Sequence, residues 1–557
     1  MSEPREGEGI PTPALAPIPT LTPTPTTVRG ILPDGLLEAF AGYERALAEN
    51  DLDALDAFFA PGENTLRGDA TGLLVGHAAI SGFRAARAGV VARGIRALHV
   101  RVIDPAHAVI VSVNTPDAGG AGLVTQLWVR EHAGGWQIEV AQVAAPVPAV
   151  NPTVWRLVGT PLVSADAPSS TPAATPGALD GHTIAVKDLF DIEGFAVGAG
   201  NPAYLRQAQP ATRTAPAVAT LLTAGASVRG IARTDEFAYS IAGDNEHYGA
   251  PPNVRVPGGL PGGSSSGPAA AVALGQASIG LATDTAGSIR VPASYQGLWG
   301  LRSTHGAVDR AGLLPLAPSF DTVGWLTREP GVLRAAAAAS LDSSRQVDAP
   351  NRFAVSAALV FVADDDVQAA FVAGLDRLTA AGRLPAPDLV DVGDLTEALR
   401  LFRIVQAAEA WRSHGAWVTA HPGTLGSAVA SRFEAASRSD PAEEAEARTA
   451  LGRARARLDA VLDGRILLLP SASSTAPSRR AEPASIDATR TRTLMMTCLA
   501  GIGGYPALSV PMFEAGGAPV GVCLVGPRHT DLALIDRGSA LAAGSRWPRG
   551  RSDRRGK

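Results

Sequence analysis

The order of apolar and polar positions changes twice along the chain. Residues 36–47 place Leu36, Leu37, Phe40, Tyr43 and Leu47 at helical spacing, and residues 52–59 repeat the pattern more briefly. Runs with strand character follow at 97–103, 108–114, 122–131 and 136–143. Two helices ahead of a strand meander predict an α+β cone, a curved sheet wrapped on helices. Beyond residue 178 the pattern becomes that of a larger α/β unit. A short apolar run ends at Lys187, an Ala-rich segment of helical composition spans 268–276, and a strand-like segment spans 278–282. Residues 340–460 are rich in Ala, Arg and Glu and read as helices. Residues 466–470, 504–511 and 519–522 read as buried strands.

Between and outside these regions the composition is that of tails and linkers. Residues 1–33 carry Pro11, Pro13, Pro17, Pro19, Pro23 and Pro25 among threonines and are expected to be disordered or polyproline-like. Residues 149–178, rich in Pro, Ser, Thr and Ala, read as a linker, and 546–557 as a basic tail. This leaves a small domain at 34–148 and a large one at 179–545 within 557 residues. A net charge of −5 and 46% apolar residues fit a globular protein with no nucleic-acid partner. No apolar run has the length to cross a bilayer, and the first residues lack signal-peptide character. Cys498 and Cys523 sit in apolar contexts and read as buried free thiols in a reducing cytoplasm. Cys and His show no clustered spacing, so neither a metal nor a cofactor is expected.

The chemistry concentrates in residues 258–300. Two turns of small residues, 262–267 and 284–288, flank the helical segment, and turns of this kind can aim several N–H groups at one point. A flexible linker does not run straight into ordered flanks. A phosphate cradle would need a lysine where Ser264 stands. A nucleophile site remains, with two candidates. Gly263-Ser264-Ser265-Ser266-Gly267 spells the G-x-S-x-G elbow of serine esterases, with Ser265 as nucleophile and His305, His414, His421 or His529 as base, but its approach is loop-like. The other candidate is Ser288.

A serine needs a base, and the composition points to one. Of 48 basic residues only Lys187 and Lys557 are lysines. Arginine cannot release its proton at workable pH, whereas a buried lysine can. The single internal position kept as lysine is therefore a candidate general base.

Ala185-Val186-Lys187-Asp188, the glycine–serine turn 261–267 and Asp284-Thr285-Ala286-Gly287-Ser288-Ile289-Arg290 together resemble the amidase signature family over about residues 179–545. The resemblance implies an α/β/α sandwich with a central mixed sheet and hydrolysis of a small-molecule amide. It implies Ser288 as nucleophile, Ser264 as a bridging cis-serine and Lys187 as general base. The N–H groups of Thr285, Ala286, Gly287 and Ser288 would form the oxyanion hole, with Ser265 and Asp284 in support. Asn201-Pro202, the run 235–240 and Phe320-Asp321-Thr322 look like the indole-3-acetamide hydrolase branch. Three departures stand out: Ala286 where glycine is frequent, Pro268 after the serine turn, and Ser303 in place of a proline. A scaffold with an amidase fold and no turnover is the alternative from a different class, but all three reacting residues are present.

Residues 34–148 resemble NTF2-like (SnoaL-like) domains, and the small domain that accompanies an amidase in cyanuric acid degradation. His77, His99, His107 and His132 are its candidate pocket residues, although scattered histidines carry little chemistry by themselves. A non-catalytic assembly or pocket role is expected, with homo-oligomers formed through this domain. The two resemblances point to different substrates, arylacetamides for one and ureido or carboxylated biuret-like amides for the other.

Overall fold

The structure is a computed structural model that describes residues 26–69, 72–85, 93–116, 122–130, 135–144, 150–164 and 177–543. The chain divides into two compact units at Ala149/Val150. His132, most of the Pro/Thr-rich tail, residues 165–176 of the expected linker and the basic tail lie outside the described residues.

The first unit is built as the apolar pattern requires. Helix Leu36–Glu49 buries Leu36, Phe40, Tyr43 and Ala46, one face at helical spacing, in a core shared with Trp128, Trp136 and Ile138. Its described residues form seven strands, β1 (Thr26–Arg29), β2 (Leu66–Asp69), β3 (Gly72–Val75), β4 (Arg93–Asp104), β5 (His107–Pro116), β6 (Gly122–Arg130) and β7 (Trp136–Ala144), in the order β1-β4-β5-β6-β7-β2-β3. The expected meander is the antiparallel run β4 to β7. Two features correct the sequence reading. Residues 26–29, assigned to a disordered tail, form β1 parallel to β4, and β2, β3 and the helix His77–Ala85 add to the sheet's other side. β1 has all four residues exposed, so no buried face marks it in the sequence.

The second unit is organised by an eleven-stranded mixed sheet: β8 (Trp155–Val163), β9 (Thr183–Lys187), β10 (Ser227–Ala232), β11 (Ile279–Asp284), β12 (Trp299–Arg302), β13 (Thr322–Thr327), β14 (Phe353–Val355), β15 (Asp388–Leu389), β16 (Ile466–Pro470), β17 (Ala507–Ala515) and β18 (Ala518–Val525). Their spatial order is β15-β14-β16-β18-β17-β12-β13-β11-β9-β10-β8. Alternate residues of the inner strands feed different cores. Ile466 and Leu468 of β16 belong to one cluster and Leu467 and Leu469 to another, and β18 divides Val522 and Leu524 from Cys523 and Val525 in the same way. A sheet buried on both faces is the sandwich that the resemblance implies. The expected linker 149–178 is corrected by β8, which pairs antiparallel with β10 and closes one edge of the sheet.

Candidate active site

Lys187 ends β9 and Asp284 ends β11, and these two strands run parallel to each other. Side chains at the carboxyl ends of adjacent parallel strands share one crevice. The turn that brings Ser264 and Ser265 there precedes the helix Ser266–Ala273, and the Gly263–Ser264 peptide is cis. Pro268 lies in the first turn of that helix, where a missing N–H costs nothing.

Lys187 is fully buried. Its Nζ lies 2.8 Å from Ser264 Oγ, 3.0 Å from Ser265 Oγ and 2.7 Å from Thr283 Oγ1. Burial pulls the Lys187 pKa down from 10.5 to about 7, against the opposing pull of Asp235, Asp284 and Asp321. Three hydroxyls satisfy either form of the amine: the ammonium donates to all three, and the neutral amine has two N–H donors and one lone pair. Ser265 gives its proton to the Thr283 carbonyl oxygen at 3.2 Å, so it accepts from Lys187. In the neutral form, with Thr283 as the second acceptor, the lone pair falls to Ser264.

The turn after β11 is held by one carboxylate. Asp284 accepts from Gly287 N at 2.8 Å, Ile289 N at 3.1 Å, Arg290 Nε at 3.0 Å, Arg290 Nη2 at 2.8 Å and Arg302 Nη1 at 3.2 Å. Burial alone would raise its pKa, but Arg290 and Arg302 outweigh that and hold the carboxyl well below the usual range. Gly287 has φ +124°, and a Cβ there would lie 3.0 Å from Thr497 Oγ1. Ala286 keeps negative φ, so its departure from glycine costs no backbone strain. The Thr497 hydroxyl donates to the Ala286 carbonyl, and Thr285 Oγ1 donates to Asp321 Oδ1 at 2.6 Å. Burial raises the pKa of Asp235 and of Asp321.

Ser288 is buried beside this array, and its carbonyl accepts from Ser265 N at 3.3 Å. Among the described residues its hydroxyl makes no hydrogen bond to Ser264. The N–H groups of Thr285, Ala286 and Ser288 likewise have no acceptor among the described residues. The N–H of Gly287 is already given to Asp284, so of the four N–H groups expected to face an oxyanion, three are free.

The esterase alternative loses its geometry. Ser265 follows a loop and caps a helix, and its hydroxyl is engaged by Lys187 and the Thr283 carbonyl. The ring of His305 bonds the Pro318 carbonyl, that of His414 the Pro315 carbonyl and that of His421 the Trp417 carbonyl, while the backbone N–H of His529 donates to Thr304 Oγ1 and its ring Nδ1 has no partner among the described residues. None of these rings bonds a serine of the turn. Ser303 fills its unexpected position by donating to the Val323 carbonyl at 2.7 Å. In the first unit, His77 and His107 bond Asp56 and Asp104, and His99 lies on β4.

Four partners escaped the sequence reading: Thr283, Asp235, Asp321 and Arg302. Asp235 and Asp321 lay in runs quoted for family likeness and Arg302 beside a noted departure, but nothing in these strings says which atoms they reach. A cavity of about 760 Å³ has Asp235 in its wall, whose N–H donates to the Ser264 carbonyl at 3.1 Å; Lys187, Ser264 and Ser288 do not line it. It extends between the helices Leu395–Ala420, Ser427–Ala436 and Pro483–Gly503.

Comparison with known proteins gives the family of each unit. Residues 148–535 match the Amidase family, and residues 32–147 match the AtzH-like family. Amidase 1 of Arabidopsis thaliana is 33% identical over 407 residues, covering 68% of this chain and 96% of that protein. The 2-amino-5-chloromuconic acid deaminase of Comamonas testosteroni is 32% identical over 381 residues, 64% of this chain and 80% of its own. Among solved structures, an inhibitor-bound complex of an s-triazine catabolic enzyme superposes with a TM-score of 0.60 at 29% identity, covering 66% of this chain and 84% of that one.

Proposed function

The chain belongs to the amidase signature family and is a hydrolase of carbon–nitrogen amide bonds, and from that premise we propose that Ser288, Ser264 and Lys187 carry the reaction on a small-molecule amide. The observation that supports this most directly is the Lys187 amine, buried, shifted to about 7 and 2.8 Å from Ser264. Neutral Lys187 takes the Ser264 proton, and Ser264 takes that of Ser288. The Ser288 oxygen adds to the amide carbonyl, and the N–H groups of Thr285, Ala286 and Ser288 receive the oxyanion. Gly287 shapes the turn instead. The relay then returns a proton to the leaving nitrogen, which departs as ammonia or an amine. Water, deprotonated by the same relay, cleaves the acyl-enzyme to the carboxylate and frees Ser288.

No step calls on a metal or a nucleotide. The AtzH-like unit is read as an assembly or pocket module, through which the chain forms homo-oligomers. The two buried thiols, Cys498 and Cys523, support a reducing cytoplasmic setting. The test is ammonia release from a panel of indole-3-acetamide, benzamide, aliphatic amides, biuret and glutamine, run beside Ser288→Ala. Release that vanishes in Ser288→Ala is the expected result. Release that persists in the variant removes Ser288 as nucleophile, and silence from a folded wild-type protein across the panel favours the binding-only scaffold.

A further inference from the structure

Three guanidinium groups from three helices line the cavity that has Asp235 in its wall: Arg403, Arg432 and Arg490. Burial lowers the Arg490 pKa to about 9, and the charges of Arg432 and Arg403 add to the effect. Burial lowers Arg432 as well, against the opposing pull of Asp487, Tyr239 and Asp235, with Arg403 adding a smaller push downward. Like charges gathered in a partly desolvated cavity are costly unless an anion meets them.

The chain supplies little of that anion. Among the carboxylates lining the cavity, Asp235 is bonded to Gly243 N and Ser266, Glu236 to Asn201, His247 and Gly426, and Glu246 to Ser427. Asp487 reaches Arg490 at 3.6 Å but is itself 67% exposed, and Asp244 pairs with none of the three arginines among the described residues. Arg432 gives one N–H to the Tyr239 carbonyl at 2.8 Å, and Arg403 gives one to Thr491 Oγ1 at 3.1 Å. Arg490 Nε is buried with no partner. By contrast Arg479, on the same cavity wall, is bonded to the carbonyls of Gly259, Ala250 and Pro251 and so is spoken for.

We propose that Arg403, Arg432 and Arg490 form an anion site for a carboxylate of the substrate, so that the large unit selects amides carrying a carboxylate remote from the scissile carbonyl. The proposal rests on the amidase reading above. Its geometry is set by one helix. Thr497, which holds the Ala286 carbonyl in the nucleophile turn, stands seven residues beyond Arg490 on Pro483–Gly503. That is about 10 Å of helical rise, an interval that an arginine side chain and a short ω-amide span together. Guanidinium groups suit the task because their planar forks bind carboxylates in pairs of hydrogen bonds.

The test separates binding from turnover. The full-length Ser288→Ala protein is titrated calorimetrically with glutaramate, the monoamide of a five-carbon diacid, and with pentanamide, its uncharged counterpart. Glutaramate is expected to bind about 10- to 100-fold more tightly, the range of a charge-assisted contact. Arg490→Gln in the same background should erase that preference. Arg403→Gln is an independent second variant should the first not fold, with thermal unfolding recorded for both. Equal binding of the two probes, binding of neither, or a preference surviving both substitutions overturns the proposal. The amidase reading fails separately: a wild-type protein with the binding preference that releases no ammonia from either probe keeps the anion site and loses the hydrolase.

Discussion

Replacing Lys187 by arginine preserves charge and removes the capacity to deprotonate. The structure gives two magnitudes for the consequence. The first is kinetic. With its pKa near 7, about half of Lys187 is free base at neutral pH, whereas a guanidinium stays protonated and offers almost none. Loss of a general base costs roughly 10²- to 10⁴-fold, and ammonia release should fall within that range. The second is thermodynamic. The folded-state pKa lies below the value of 10.5 that the unfolded chain retains, so between about 7 and 10.5 the unfolded state binds the additional proton. Stability therefore rises with pH across that window, and Lys187 alone contributes about 2 kcal/mol between pH 7 and pH 9. Arginine stays charged in both states and contributes no such rise. Urea unfolding of both proteins at pH 7, 8 and 9, followed by tryptophan fluorescence, reads the difference, because every other titrating group cancels. Lys187→Met supplies the uncharged control for rate. An arginine variant within tenfold of wild-type turnover would refute the base assignment. Parallel pH dependences of stability would refute the lowered pKa from which the assignment is argued.

Other expectations follow from the same contacts. The kcat/KM of the wild type should drop about tenfold per pH unit below an apparent pKa near 7, as Lys187 protonates; a flat profile down to pH 5 would oppose it. Asp284→Asn leaves Arg290 and Arg302 buried against a neutral amide and should cost about 3–5 kcal/mol in denaturant unfolding. In any Asp284→Asn protein that remains folded the acid limb should move to lower pH, since Asp284 raises the Lys187 pKa. Gly287→Ala forces a side chain onto φ +124° with its Cβ 3.0 Å from Thr497 Oγ1, and should lower kcat by at least about tenfold through the displaced turn; unchanged kcat in a folded variant would show that the turn tolerates the shift.

What the sequence disclosed depended on whether a feature was local. Lys187 stood out because arginine fills nearly every other basic position, and the serine turns because small residues in tandem have few other uses. The inner strands were legible as continuous apolar runs, since both of their faces are buried. β8 was not, because Pro161 and Gly159 interrupt its pattern and its status as a strand depends on the partner β10, over sixty residues away. The commitment of the Gly287 N–H was hidden for a related reason: it depends on where the Asp284 side chain turns, and two arginines and the fold decide that. The arginine-lined cavity was least legible of all. Its residues come from three helices inside the 340–460 region and beyond it, and only packing makes them neighbours.

The complete burial of Lys187 has a practical side. A protease specific for lysyl bonds finds one internal target in the whole chain, and the folded large unit buries it at the end of β9, where Lys187 pairs with β10 and the residues just before it pair with β11 as well. Cleavage there demands that the central sheet open, so the appearance of fragments 1–187 and 188–557 counts openings of the sheet directly. Ligands that tighten the unit will slow that cut in proportion to the openings they suppress, and the chain thereby carries its own clock for ligand binding, with no label attached.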